Sequence, residues 1–356
     1  MDSGLAGKSP RPGMTIMSEE TMTSYPLIDI YCHIYPEKFF EEMTKLSPQT
    51  QNLGKRLRTI TKLFDLGERF REMDQFGHYR QIISLPNPPI EEIASGEAGL
   101  RLARIGNDAM AELCARHPDR FAGFVAAMSL TEVEGSVAEA SRAVTQLGAC
   151  GVQVFTPLAG RPLDGQAFAP VFAAMAEFDL PIWLHPARTA AMTDYAAEAK
   201  SRYEMWWCFG WPYDTSVAMS RLVFSGLFDR HPGIKIITHH CGGMIPYFDG
   251  RVGPGLDVLG ARTTGEDYSQ VLALLKRPHL EYFKEFYGDT AMFGGKYGIP
   301  CGLEFFGADH IVFATDTPLG PIAPTMAVID DLDIDDEARR KIYVGNAERL
   351  VKRKLA

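Results

Sequence analysis

A chain of 356 residues, 46% of them hydrophobic, can bury a substantial core as one large domain or two modest ones. Its formal charge of −9, without a basic tract, argues against nucleic acid and anionic membrane as partners. No apolar run approaches the roughly 18 residues needed to span a bilayer. The six cysteines show no CxxC spacing, which suits a reducing cytoplasm better than a disulfide framework or a zinc knuckle.

In chain order, residues 1–25 combine Gly, Ser, Pro and Met without the continuous apolar stretch of a secretory signal, and predict a mobile extension. From Pro26 onward strand-like runs alternate with amphipathic ones. Strands are predicted at about 27–33, 79–85, 120–130, 149–156, 181–186, 234–240, 283–289 and 310–316. Helices are predicted over 97–117, 132–147, 168–178 and 215–230, with Thr131 and Asp335 placed to cap helix starts. Eight such alternations predict a (β/α)8 TIM barrel forming a single catalytic domain over 26–356, rather than an open doubly wound sheet. Neither GxGxxG nor GxxxxGK[ST] occurs, so the nucleotide-binding signatures are absent. The segments after the first and fifth strands, about 34–60 and 187–212, are long, and the second contains Trp206, Trp207 and Trp211. Loops on that rim of a barrel form its active-site face.

Four predicted strands end in His or Asp: at His33, His185, His239-His240 and Asp316. Side chains alternate along a strand, so Tyr31 and His33 share a face and Cys32 points away. Two neutral imidazoles and a carboxylate, from His33, His185 and Asp316, suit a Zn²⁺-like ion in a site that keeps an open position. Such an ion lowers the pKa of bound water or polarises a substrate. Alternation admits one of the two consecutive histidines. We assign His240 inward as general acid/base or substrate-polarising group and place His239 in the strand–helix layer. His78, His117, His231, His279 and His310 read as surface or cap residues.

These residues resemble those of the amidohydrolase superfamily, within it the amino-carboxymuconate-semialdehyde decarboxylase-like group. The resemblance runs from about Leu27 to Leu350. It includes Arg71-Glu72-Met73-Asp74, Arg116-His117-Pro118-Asp119-Arg120-Phe121, Gly151-Val152-Gln153 and Leu184-His185-Pro186. It continues through His240-Cys241-Gly242-Gly243, Phe286-Tyr287-Gly288-Asp289, Thr315-Asp316-Thr317-Pro318 and Gly345-Asn346-Ala347. It implies one divalent metal per chain, zinc or manganese, often a homodimer, and in many members non-oxidative loss of CO2. Residue by residue it implies His33, His185 and Asp316 as ligands and His240 as the catalytic histidine. Trp207 matches a substrate-contacting tryptophan. Arg251 matches an arginine that the partner subunit lends to a substrate carboxylate.

The chain departs from that pattern twice. The group opens on His-x-His or Glu-x-His, and here the motif is Tyr31-Cys32-His33. Tyr31 is therefore a candidate phenolate ligand, or alternatively a hydrogen-bonding neighbour of the metal or a substitute that weakens metal binding. In the loop after the first strand Leu57 stands where the group has a carboxylate-binding arginine, and Arg58 beside it becomes the candidate. The expected activity is a metal-dependent carboxy-lyase of a small aromatic or conjugated carboxylic acid, in the cytoplasm. The alternative on the same fold is a hydrolase of an amide, lactone or other acyl bond, or a hydratase. A barrel that has lost catalysis and only binds is the third reading.

Overall fold

The computed structural model describes residues 25–47, 57, 59–265 and 267–355. Eight strands appear in the predicted order. They are β1 (Leu27–His33), β2 (Tyr79–Ser84), β3 (Phe121–Phe124), β4 (Val152–Thr156), β5 (Ile182–Pro186), β6 (Ile236–Thr238), β7 (Tyr287–Asp289) and β8 (Ile311–Val312). They pair in parallel as two runs, β1-β2-β3 and β4-β5-β6-β7-β8. One seam between the runs is bridged by Ala126 against Val152 and by Cys150 N–H donating to Phe124 O at 2.8 Å. The other is bridged by Ile30 N–H to Phe313 O at 3.0 Å and His33 N–H to Thr317 O at 2.8 Å. The α/β architecture is that of a TIM barrel, with helices between successive strands.

Several paired strands are shorter than the apolar runs that predict them, because apolarity marks burial and not pairing. Beyond Phe124, for example, Val125 to Leu130 remain buried. The helices Gly96–Arg116, Val133–Leu147 and Ala169–Phe178 match expectation, whereas 215–230 divides into Gly210–Phe224 and Leu227–Arg230. The break falls at Gly226, whose φ of 73° is left-handed. Asp335 caps its helix, accepting from Ala338 N–H at 2.7 Å. Thr131 does not cap the helix after it; its hydroxyl accepts from Gly96 N–H at the start of another.

Two buried layers follow from strand alternation. Ile82, Val125, Trp183, Ile237 and Val312 share an inner cluster, while Val154, Leu184, Ile236 and Ile311 pack outward with the helices. Trp183 fills the inner space, fully buried, and donates its indole N–H to Ile30 O at 3.0 Å. In β1 both Ile30 and Tyr31 belong to the inner cluster. The pairing with β2 shifts register between Asp29 and Cys32, and this bulge turns Tyr31 and His33 inward. Residues 1–24 lie outside the described residues; Tyr25 is packed 6.1 Å from the ring of Tyr343.

Candidate metal centre and active site

The rim at the carboxyl ends of the strands gathers the polar residues. His33 closes β1, His185 lies in β5, His239 and His240 follow β6, Asp289 closes β7, and Asp316 follows β8. His33 Nε2 lies 3.1 Å from Asp316 Oδ1, and His239 Nε2 lies 3.6 Å from the same oxygen. Ligand atoms of His33, His185 and His239 fall within 4.8 Å of one another, as do those of His239, His240 and Asp316. The structure thus brings His33 beside Asp316 and groups His33 with His185, while His239 is the residue common to both clusters.

Each inner imidazole has its Nδ1 engaged. His33 Nδ1 meets Ser84 Oγ at 3.1 Å, His185 Nδ1 meets Pro186 O at 2.6 Å, and His239 Nδ1 meets Asp289 Oδ2 at 2.5 Å. This leaves Nε2 of each ring for the centre, the usual way outer hydrogen bonds orient metal-binding histidines. His33 Nε2, His239 Nε2 and Asp316 Oδ1 are buried and make no hydrogen bond, although they lie close together. Buried polar atoms are rarely left so. A divalent cation between them would satisfy all three, and the N/O donor set suits zinc or manganese.

Electrostatics agree with convergence. Burial, and then the charges of His239 and His33, push His185 well below its ordinary value. Burial opposes a charged His239, yet Asp289 and then Asp316 lift it to about 9. Burial likewise opposes an ionised Asp316, but His239 and His33 hold its carboxyl far below the usual carboxylate range. His240 is lowered to about 3 by burial and by His239, so it is neutral at pH 7. Burial, with Asp289 and Asp316 nearby, keeps Tyr31 a neutral phenol among the protein groups. Its ring centroid lies 4.2 Å from His239 and 5.3 Å from His33.

The placement of His239 corrects the sequence reading. Ile237 is inward, so alternation carries His239 inward as well and not into the strand–helix layer. His240 reaches the site by another route: His240 and Cys241 adopt left-handed backbone, with φ of 57° and 55°. Asp316 is also left-handed, with φ of 64°. Such conformations cost non-glycine residues roughly 1–2 kcal/mol each and cluster where function requires them. The turn is held by Cys241 N–H donating to Asp289 Oδ1 at 3.2 Å and Met244 N–H donating to Ser216 Oγ at 2.7 Å. His279, expected at the surface, is buried against Gly253 O at 3.0 Å.

Beside His240 lies a cavity of about 160 Å³ lined by Trp207, Trp211, Met292 and Phe293. Trp211 stands edge-on to His185 at 5.4 Å and 5.9 Å from His240, and its indole N–H donates to Arg188 O at 2.9 Å. Trp207 packs 5.7 Å from Phe293. A larger cavity of about 680 Å³ is lined by Arg188, Tyr195, Arg202, Tyr203 and Tyr213, and by none of the converging histidines. Arg251, in the short helix Asp249–Val252, is exposed, with its guanidinium 5.9 Å from the Phe248 ring, and does not line the His240 cavity. Arg58 lies outside the described residues.

Sequence reasoning missed His239, Asp289 and the part taken by Trp211. The inward Ile237 two positions earlier was a usable signal for His239. Asp289 sits in a quoted family motif but carried no assigned role. Trp211 was one of three tryptophans in one loop, and nothing in the pattern separates them.

The family profile described as amidohydrolase matches residues 28–353. A gamma-resorcylate decarboxylase from Polaromonas sp. JS666 is 33% identical over 309 residues, covering 82% of this chain and 89% of that protein. A crystal structure of a dihydroxybenzoic acid decarboxylase from Polaromonas sp. JS666 contains manganese and the inhibitor 2-nitroresorcinol. It is 27% identical, with a TM-score of 0.72 over 92% of this chain and 97% of that one. A 5-carboxyvanillate decarboxylase from Novosphingobium aromaticivorans, a mutant with bound manganese and 3-methoxy-4-hydroxy-5-nitrobenzoic acid, is 25% identical. Its TM-score is 0.79 over 92% of this chain and 97% of that one.

Proposed function

Because the chain belongs to the amidohydrolase family, we propose that it is a metal-dependent non-oxidative decarboxylase of a small aromatic carboxylic acid. One observation carries the reading: inward imidazoles and a carboxylate converge at the rim of the barrel beside a cavity walled by Trp207, Trp211 and Phe293. At about 160 Å³ that cavity is below the roughly 300–1,000 Å³ of drug-sized sites, which restricts its occupant to a single small ring.

His33, His185 and Asp316 would hold the cation. A divalent ion bound there supplies Lewis acidity and anchors the substrate carboxylate. Trp207 and Trp211 hold the ring by its faces and edges and exclude water. The bond between the ring and the carboxyl carbon breaks with its electron pair left on the ring carbon, and CO2 departs. One proton drawn from solvent replaces it, relayed to the ring carbon through His240 and Asp316, whose ligand-type atoms lie within 4.8 Å of each other. Nothing is oxidised or reduced from outside.

We assign a second copy of the chain as partner, in the cytoplasm. Arg251, Tyr247 and Phe248 are exposed together and suit a contact through which Arg251 reaches the neighbouring substrate anion. Light scattering at the mass of two chains supports this, and a monomer at micromolar concentration rules it out.

The experiment for the activity loads the protein with Mn²⁺ or Zn²⁺ and offers 2,6-dihydroxybenzoate, 5-carboxyvanillate and related aromatic acids in D2O. Release of CO2 with one deuterium at the vacated ring carbon is the expected result. Incorporation of solvent ¹⁸O into a new carboxylate, from acyl substrates and without CO2, would instead establish the hydrolase.

A further inference from the structure

We propose that His239, fixed by Asp289, is itself a ligand of the divalent cation and completes the set of His33, His185 and Asp316 in place of Tyr31. The inference rests on the reading that this rim holds a cation, and extends it to a ligand outside the expected set.

Four observations lead there. His239 Nε2 points to the same Asp316 oxygen as His33 Nε2, at 3.6 Å and 3.1 Å. It belongs to one cluster with His33 and His185, and to a second with Asp316 and His240. His239 Nε2 is fully buried and without a hydrogen bond, while its Nδ1 is fastened to Asp289 Oδ2 at 2.5 Å. Asp289 is fixed in turn by Cys241 N–H at 3.2 Å and Ala291 N–H at 3.1 Å. A carboxylate–imidazole pair aimed toward a cluster of other donors is the arrangement by which proteins orient a metal-binding histidine. A merely structural histidine would find a partner for both nitrogens.

Tyr31 has a different relation to the centre. Its ring lies against His239 at 4.2 Å and edge-on to His185 at 5.7 Å, so it walls the donor cluster and limits how far His239 can move. The resulting set is three imidazoles and one carboxylate. Substrate would approach such a cation from the side of His240 and Trp211, which line the cavity.

Pulsed EPR of the Mn²⁺-loaded protein tests this by counting directly bound imidazole nitrogens, with no need of turnover. Three are expected in the unmodified protein, three in Tyr31→Phe and in His240→Gln, and two in His239→Gln. By metal titration, His239→Gln should bind Mn²⁺ at least 10-fold more weakly, and Asp289→Asn about 10–100-fold more weakly. Two nitrogens in the unmodified protein, or three retained in His239→Gln, would overturn the inference. So would a loss of affinity in Tyr31→Phe as large as in His239→Gln. If His239→Gln does not fold, three nitrogens persisting in His240→Gln still assign the third to His239. A protein that takes up no Mn²⁺ or Zn²⁺ would overturn the metal reading as a whole.

Discussion

His185 and His240 both lie against Trp211, at 5.4 Å and 5.9 Å between ring centroids, yet their chemistry differs. His185 has its Nδ1 at a backbone carbonyl and its other nitrogen toward the donor cluster. His240 lines the cavity, and its buried Nδ1 has no hydrogen-bond partner among the described residues. Removing each should therefore separate binding of the ion from chemistry. His185→Ala should lose most bound metal together with activity. His240→Gln should keep the metal and lose about 10²–10⁴-fold in kcat, the usual contribution of a proton-transfer group. Elemental analysis beside steady-state rates checks both. Equal metal loss in the two variants would make His240 a ligand and remove it from the proton-transfer role.

At the scale of elements, the strand and helix order was legible because apolar strand-like runs alternate with amphipathic ones bounded by cap residues, as Asp335 caps the helix Asp336–Arg340. His33 and His185 were legible because each is a polar residue closing an apolar strand-like run, the position that reaches the rim of a barrel. What was not legible are departures from alternation. The bulge in β1 and the left-handed turn at His240 and Cys241 depend on tertiary hydrogen bonds that no local pattern records. Gly243 marks that turn. Its φ is 63°, and a Cβ there would meet Pro212 O at 2.4 Å and Ser216 Oγ at 2.9 Å. Gly243→Ala should force the turn away from the helix Gly210–Phe224, which carries Trp211, at a strain of about 1–3 kcal/mol. We expect a lowered Tm and a reduced kcat with metal content retained, measured by thermal melts, rates and elemental analysis. Unchanged kcat would show that the turn does not set the position of His240.

On the scale of the whole molecule, the barrel consists of two parallel runs of strands joined at seams, and the seam between β1 and β8 is tied twice. Within the barrel wall, Asp29 on β1 accepts from Thr315 N–H at 3.1 Å, Thr315 Oγ1–H at 2.5 Å and Tyr79 O–H at 2.6 Å. At the rim, a cation held by His33 from one run and by His185 and Asp316 from the other would fasten the same seam. With Tyr31 N–H, which also donates to Asp29 Oδ1 at 3.3 Å, Asp29→Ala strands four buried donors, at about 1–3 kcal/mol each when unsatisfied, so it should cost about 4 kcal/mol or more. An ion that binds only the folded state adds about 2.7 kcal/mol at a hundred times its Kd. Chelation should therefore lower Tm, and Mn²⁺ or Zn²⁺ should restore it. The restoring shift should persist in Asp29→Ala, whose carboxylate bonds none of the ligand side chains, and disappear in His185→Ala. Calorimetry with and without added ion reads all four cases. An undiminished shift in His185→Ala would place the stabilising ion somewhere other than the strand ends.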